Sequence, residues 1–340
     1  MKGLIISGSR NIFTVRSLGR NNSDTADSTI DNEEFSHFEC RIKGKVLDRS
    51  NEGLAKNDYY NPLAPGDIVE FESGLISSLY PRKNYFARLN IKGNNTQILG
   101  ANIDLLLCVT TISSPPFRAR FIDRVLLQAE HFGIPVLILV NKLDLFDACP
   151  TLDVRQYVFE TQQSGASMDE NIKERLDDFK RMGYNLHFIS CKTKDGIDQL
   201  RTMLRGKTSM LVGQSAVGKS SILNELFPNA NLKTGMLNRK YDRGNHTTVQ
   251  SNLFEDKNIS IIDTPGIRQF IPCGIEKNDV INLMKDFAPF AGQCEYGISC
   301  THQSERGCKI QSAIEHKKIH EDRFVSFVKI RQEIERTRIY

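Results

Sequence analysis

No apolar run in this 340-residue chain is long enough to cross a bilayer. The longest, LLLCV at 105–109 and VLILV at 136–140, fall far short of the roughly 18 residues a spanning helix needs. The N-terminus, MKGLIISGSRN, has neither a signal-peptide apolar core nor a small-residue cleavage site, so no membrane role and a cytoplasmic setting are expected. A formal charge of only +4 does not argue for nucleic-acid binding unless basic residues cluster. No repeat recurs at solenoid periods. Eight cysteines are poor disulfide candidates in a reducing compartment, so a cluster among them points to a metal. The apolar and charged fractions are ordinary for a soluble protein, and the length leaves room for two or three domains.

Up to about Leu99 the pattern is short and strand-like. KGLIIS, NIFTVRS, FECRIKGKVL, DIVEFES and NYFARL are separated by Gly, Asn, Asp and Pro, which suggests a small all-β barrel of the OB type. The polar stretch at 20–36 reads as a loop without chemistry. From Ala101 strands and helices alternate: DLLLCVTTI, FIDRVLLQAEHFG, PVLILV, NIKERLDDFKRMG, LHFISCK, DQLRTMLRG, SMLVG, then GQSAVGKSSILNELF, SNLFED and ISIIDTPG. That alternation argues for a parallel sheet with helices on both faces. Beyond Ile271 the chain turns helical, and 315–340 reads as one charged, partly amphipathic helix. The expected division is 1–99, 100–271 and 272–340.

Gly213-Gln214-Ser215-Ala216-Val217-Gly218-Lys219-Ser220, followed by Ser221, matches the phosphate-loop pattern between a strand and a helix. Its glycines let backbone N–H groups wrap phosphates at a helix N-terminus. Lys219 would neutralise the β- and γ-phosphates, and the Ser220 hydroxyl would ligate Mg²⁺. The base is read elsewhere. Asn141-Lys142-Leu143-Asp144 follows a buried strand, and the Asp144 carboxylate can accept from guanine N1–H and its 2-amino group, a pair adenine does not offer. Ser190-Cys191-Lys192 follows another strand as a second base-contacting loop. Asp263-Thr-Pro-Gly266 fits D-x-x-G, with Asp263 near Mg²⁺ and the Gly266 N–H toward the γ-phosphate. Between them, the stretch Gly244-Asn-His246-Thr247-Thr248 offers the hydroxyls of Thr247 and Thr248 for Mg²⁺ and the γ-phosphate.

Each piece is modest alone, but all sit at the ends of strands. Their order is rotated relative to a conventional GTPase: guanine loops first, then the phosphate loop 72 residues after Asn141, the threonines and D-x-x-G. A parallel sheet tolerates rewired connections, so the domain is read as circularly permuted. This permuted order, between a β-rich N-terminus and a Cys/His C-terminus, resembles the small ribosomal subunit biogenesis GTPase family (RsgA type). The resemblance implies an OB-fold, a permuted GTPase domain and a zinc-binding domain. It also implies ribosome-stimulated conversion of GTP to GDP during late maturation of the small subunit, with that subunit and its rRNA as partners. Where the family reads G-R-H-T-T this chain has Asn245, which removes one positive charge near the phosphates.

The residue after D-x-x-G is Ile267, where many GTPases carry a Gln that positions water. His246 is therefore the candidate for orienting the attacking water; anchoring the loop is its other reading. Cys294-x₅-Cys300-x-His302-x₅-Cys308 offers three thiolates and an imidazole for a closed structural zinc site. The family pattern implies the same set. Tyr80, Arg82, Lys83, Tyr85 and Phe86 interleave basic and aromatic groups suited to RNA, or form an ordinary barrel strand. Lys317, Lys318, Arg323, Lys329 and Arg331 offer a second basic stretch. Two rival readings stay open: a slow-cycling nucleotide-gated RNA binder, favoured by Ile267, and an ATP-dependent kinase, which leaves Asp144 and Ser190 unexplained. A monomer is expected.

Overall fold

The computed structural model describes residues 1–9, 11–19, 36–43, 60–90, 95–148, 170–228, 251–256, 258–267, 269–303 and 305–338. Most of the polar stretch at 20–36, the segment 244–248 and Cys149 lie outside the described residues. By internal contacts the chain divides into two compact units: Met1–Asp104 with Leu204–Met210 and Met236–Pro265, and Leu105–Met203 with Leu211–Gly235 and Gly266–Tyr340.

In the first unit, β1 (Lys2–Ser9), β2 (Ile12–Ser17), β3 (His37–Ile42), β4 (Ile68–Glu72) and β5 (Leu75–Leu79) close into a barrel in the order β1-β2-β3-β5-β4. Strand β1 is antiparallel to both β2 and β4, while β3 runs parallel to β5. This is the OB-type arrangement of a five-stranded Greek-key barrel. Alternate residues fill it: Ile5, Phe13, Val15, Cys40, Val69, Phe71 and Ile76 form its core. Strand β5 is too polar to stand out in the sequence. It is set by the Ser73-Gly74 turn, whose two residues both have positive φ (48° and 74°), the backbone a two-residue hairpin favours. NYFARL is not a barrel strand. It forms β6 (Tyr85–Asn90), which pairs with β7 (Asn95–Ala101) in a separate two-stranded sheet, because a closed barrel offers no free edge.

The six-stranded sheet has the order β10-β9-β8-β11-β13-β12, from β8 (Leu105–Thr110), β9 (Val136–Val140), β10 (Asn185–Phe188), β11 (Lys207–Gly213), β12 (Asn252–Asp256) and β13 (Ile259–Asp263). Strands β8, β9 and β10 are parallel, with Cys108 opposite Ile138 and Leu139 opposite His187. All five residues of β9 are buried, as a strand covered on both faces requires. The sheet is not wholly parallel, since β12 and β13 pair antiparallel; two intervening residues cannot make a crossover. The intervening helices are α1 (Ala119–His131), α2 (Glu170–Arg181), α3 (Ile197–Leu204) and α4 (Lys219–Leu226).

Three helices follow in the second unit: α5 (Val280–Leu283), α6 (Lys309–Glu315) and α7 (Glu321–Arg338). The helix read over 315–340 begins only at Glu321, after a turn with Lys317 at φ 55°. Phe287, Ile310, Phe327, Ile330 and Ile334 pack with Cys294, Cys300 and Cys308 and with Leu127 of α1. Asp123 of α1, fully buried, accepts from Arg175 and Arg323, each at 2.7 Å, and Arg323 also pairs with Asp286 at 2.5 Å. Burial works against the Asp123 charge, but the two guanidiniums outweigh it and hold the carboxyl below its usual range.

Candidate functional site

The phosphate loop links β11 to α4 through a backbone only certain residues allow. Gly218 has φ 97°, and a Cβ there would stand 2.2 Å from Asn141 Nδ2. Gly213 is closed off too, since its Cβ would meet Val109 O at 2.6 Å. Lys219, 8% exposed, folds its ammonium onto the Gly213 and Gln214 carbonyls at 2.8 and 3.0 Å. Ser220 and Ser221, in the first turn of α4, are half-buried, while Ser215 and Ala216 are exposed and Val217 is buried.

Asn141 is the joint between this loop and the one that follows β9. It is 2% exposed, donates to Val217 O at 2.9 Å, and accepts from the Lys142 N–H at 2.7 Å. Leu143 donates its N–H to Ile189 O at 3.0 Å, starting the 3-10 turn Leu143–Ala148. Asp144 is held by the Ser190 hydroxyl at 2.7 Å, and Ser190 in turn accepts from the N–H groups of Lys192 and Thr193 at 3.2 Å. Lys192 lies 3.9 Å from the other Asp144 oxygen, and its side chain is 79% exposed. The Lys142 ammonium donates to Ser114 O at 2.7 Å. Cys191 Sγ stands 3.7 Å from Asn141 Oδ1. Burial, then the Glu225 charge, pushes its thiol up to about 11, so it stays neutral at physiological pH.

A cavity of about 390 Å³ opens among Asn141, Lys142, Asp144, Cys191, Lys192, Gly218 and Ser221. The chain therefore gathers the loops at 141–144 and 190–192 and the G-x-x-x-x-G-K-S loop, 72 residues after Asn141 in sequence, around one space. Asn224 and Glu225 of α4 line it as well, residues the sequence reading passes over. Their spacing from Lys219 along α4 was the available signal. Gly266 lies against the same loop: a Cβ there would stand 3.1 Å from Ser215 Cα, and the Ile267 N–H donates to Gly213 O at 3.2 Å. Asp263 closes β13 and is partly buried. Ile267 is 1% exposed. His246, Thr247 and Thr248 lie outside the described residues.

Cys294, Cys300, His302 and Cys308 are all buried, and their ligand atoms lie within 4.8 Å of one another. Cys294 Sγ is 3.5 Å from His302 Nδ1 and 3.9 Å from Cys308 Sγ, and Cys308 Sγ is 3.6 Å from His302 Nδ1. A tetrahedral ion with bonds of about 2.3 Å to sulfur and 2.0–2.1 Å to nitrogen sets S···S near 3.8 Å and S···N near 3.5 Å. The residues fit zinc. Burial pushes the Cys300 thiol up to about 12, so a cation is what would stabilise thiolates here. The Lys309 N–H already points at Cys294 Sγ, 3.3 Å away.

A family model described as RsgA GTPase matches residues 79–271. The chain belongs to the RsgA GTPase family. It is similar to the "Small ribosomal subunit biogenesis GTPase RsgA" of Flavobacterium johnsoniae, 32% identical over 89% of this chain and 88% of that protein. The protein of the same name from Borrelia recurrentis is 34% identical over 89% of each chain. Among solved structures, YjeQ from Thermotoga maritima aligns with TM-score 0.63 and 25% identity over 98% of both chains. YloQ, described as a circularly permuted GTPase, aligns with TM-score 0.61 and 20% identity over 98% of this chain and 94% of its own. This RsgA GTPase is thus a GTP hydrolase, and along its sequence N-K-x-D at 141–144 precedes the phosphate loop at 213–220.

The RNA candidates fare less well. In this RsgA GTPase Arg82 is buried in an ion pair with Asp67 at 2.7 Å, and Lys83 pairs with Asp104. Phe86 is fully buried and Tyr85, half-buried, lies under the Arg82 guanidinium at 5.8 Å, so Tyr80, 39% exposed beneath the Lys2 ammonium, is the most open aromatic of that stretch. Arg323, committed to Asp123 and Asp286, is 3% exposed in its side chain. Lys317, Lys318 and Lys329 are exposed, while Arg331 lies over the Phe327 ring. None of the described helices is long and apolar enough to cross a membrane.

Proposed function

We propose that this RsgA GTPase assists late maturation of the small ribosomal subunit, hydrolysing GTP to GDP when the subunit and its rRNA engage it. The observation that carries the nucleotide site is the Ser190–Asp144 bond at 2.7 Å beside the cavity shared with Gly218 and Ser221. It orients a carboxylate for the two donors of guanine. Asn141 joins that loop to the phosphate loop, the Lys142 stem covers the base, and Cys191 and Lys192 complete its edge. The N–H groups from Gly213 to Lys219 wrap the phosphates, helped by the Lys219 charge. Ser220 would ligate Mg²⁺, which supplies charge neutralisation at the β- and γ-phosphates; Thr247 and Thr248 offer hydroxyls for the ion and the γ-phosphate, and Asp263 would stand near the ion without ligating it. Gly266 meets the γ-phosphate.

Ile267 is apolar and buried, so water is oriented by another group, and we assign this to His246. Zinc at Cys294, Cys300, His302 and Cys308 acts as a structural ion, since four protein ligands leave no open position. The three-part division at 1–99, 100–271 and 272–340, a monomeric state and a cytoplasmic setting belong to the same reading. The β-barrel and the 272–340 segment are its RNA-facing parts, and the γ-phosphate state biases how that segment meets RNA.

Phosphate release from GTP, with and without purified small subunits and with ATP as control, tests this. GTP-specific stimulation is expected, and His246→Ala should abolish most of it. The burial of Ile267 favours one rival, a nucleotide-gated RNA binder that cycles slowly. Turnover indifferent to the subunits would establish it instead.

A further inference from the structure

The segment that leaves Gly266 runs along one face of α1. Phe270, 1% exposed, packs on the Phe121 ring with centroids 6.5 Å apart. Three residues on, Cys273 donates its N–H to Gln128 Oε1 at 2.7 Å, and its carbonyl accepts from Gln128 Nε2 at 3.0 Å. Phe121 and Gln128, seven residues apart, stand on one face of α1, so the two contacts hold the segment along that face. The near end of this strap is fixed on the phosphate loop, by the Ile267 N–H on Gly213 O and by Gly266 against Ser215.

Gln128 is 0% exposed. A primary amide buried on an apolar helix face is unfavourable unless both its ends are bonded. Here both ends bond the backbone of one residue, as the edge of a β-strand would. The same two bonds satisfy the N–H and C=O of Cys273, which is itself buried and needs partners there.

We propose that Gln128 is a positioning residue for GTP hydrolysis. Through Cys273 it pins the far end of the strap, so that the Gly266 N–H stays at the phosphate loop where the terminal phosphate is met. The proposal rests on reading Gly266 as that contact. Gln128 touches no part of the nucleotide, and the groups assigned to the base and the α- and β-phosphates stand elsewhere. Its effect therefore falls mainly on turnover, with only the small part of GTP affinity that the Gly266 contact carries and none of the affinity for GDP. By reciprocity, a terminal phosphate bonded to Gly266 tightens the clamp at Cys273.

Gln128→Met keeps the length of the side chain and removes both bonds. Measured as phosphate release in the presence of small subunits, kcat should fall by about tenfold or more, while KM for GTP rises several-fold at most. An unchanged kcat, or a KM that rises in step with the fall of kcat, overturns the proposal. Gly266→Pro, which removes the Gly266 N–H, separates the two readings. Slow turnover in Gly266→Pro beside an intact Gln128→Met sinks the Gln128 proposal alone. Normal turnover in Gly266→Pro sinks the reading of Gly266, and the proposal with it. Should Gln128→Met fail to fold, amide exchange in the unaltered protein decides. The Cys273 N–H should exchange several-fold more slowly with a non-hydrolysable GTP analogue than with GDP, and equal rates overturn the proposal.

Discussion

In the guanine pocket, Asn141 is almost wholly buried and spends its amide on protein groups: Val217 O on one side, the Lys142 N–H on the other. Ser190 links the Asp144 carboxylate to the N–H groups of the next turn. In the cysteine–histidine cluster, three sulfurs and an imidazole crowd within 4.8 Å, and although backbone N–H groups of His302, Lys309, Ile310 and Gln311 turn toward the sulfurs, burial still holds the Cys300 and Cys308 thiols neutral. The pocket makes its shape out of its own hydrogen bonds, so it stands ready without a nucleotide. The cluster brings together groups that only a cation would stabilise as thiolates. Removing the ligand should therefore do opposite things at the two places.

The largest effect belongs to the cluster. Cys300→Ser, or a strong chelator, should destabilise the core built on Phe287, Phe327 and Ile330 by on the order of 5–10 kcal/mol, since the metal-binding energy there is folding energy. Calorimetry should show a transition that shifts strongly with chelator, while withdrawing nucleotide moves it only by mass action. Coincident transitions with and without chelator would erase the contrast.

A third buried polar group sharpens it. Asp123 takes its counter-charges from Arg175 and Arg323, so, like the guanine pocket, it should not depend on a ligand. Asp123→Asn leaves two buried guanidiniums short of charge and should cost about 3–5 kcal/mol, seen as a lower urea midpoint. The pH dependence has a definite sign. The folded carboxyl titrates below its ordinary value of about 3.9. Its contribution is present above that pH and is lost as pH falls through the lowered value. Stability that stays flat on acidification below about pH 4 would contradict this.

At the pocket, Asp144→Asn exchanges one of two acceptors for a donor. GTP affinity should fall about 10²–10³-fold, the loss of charge-assisted bonds, with little change in melting temperature. Xanthosine triphosphate, whose ring carries a carbonyl where guanine has its amino group, should gain affinity. Titration calorimetry with both nucleotides checks this, and undiminished GTP binding would move base recognition elsewhere.

What the sequence disclosed follows the same division. The phosphate and guanine loops are legible because each is a short motif at a strand end whose backbone, such as Gly218 at φ 97°, only a few residue types can adopt. The cysteine spacing was legible for a similar reason, as ligand chemistry restricts residue type. Partners distant in sequence were not legible. Arg82 looked available for RNA because nothing local marks Asp67 as its buried partner, and Arg323 because Asp123 stands 200 positions away. The register of Gln128 with Cys273 is equally invisible, since a lone Gln on a helix reads as solvent-facing until the strap is laid on it. Strand β5 was lost because its polar residues hide the alternation that the Ser73-Gly74 turn enforces.

The smallest effect is expected at Lys192, and it is diagnostic for that reason. Its ammonium is 3.9 Å from Asp144 Oδ2, but the side chain is 79% exposed, so water screens the attraction and the pair contributes less than about 1 kcal/mol. Lys192→Ala should weaken GTP by no more than about threefold, and the remaining difference should shrink as salt rises. Ser190→Ala, which removes a buried hydroxyl bonded to the same carboxylate, should cost more and stay insensitive to salt. If Lys192 proved the stronger of the two, Asp144 would be oriented by a solvated charge rather than by the buried hydroxyl. The guanine pocket would then resemble the cluster, in needing a cation to hold its anionic group.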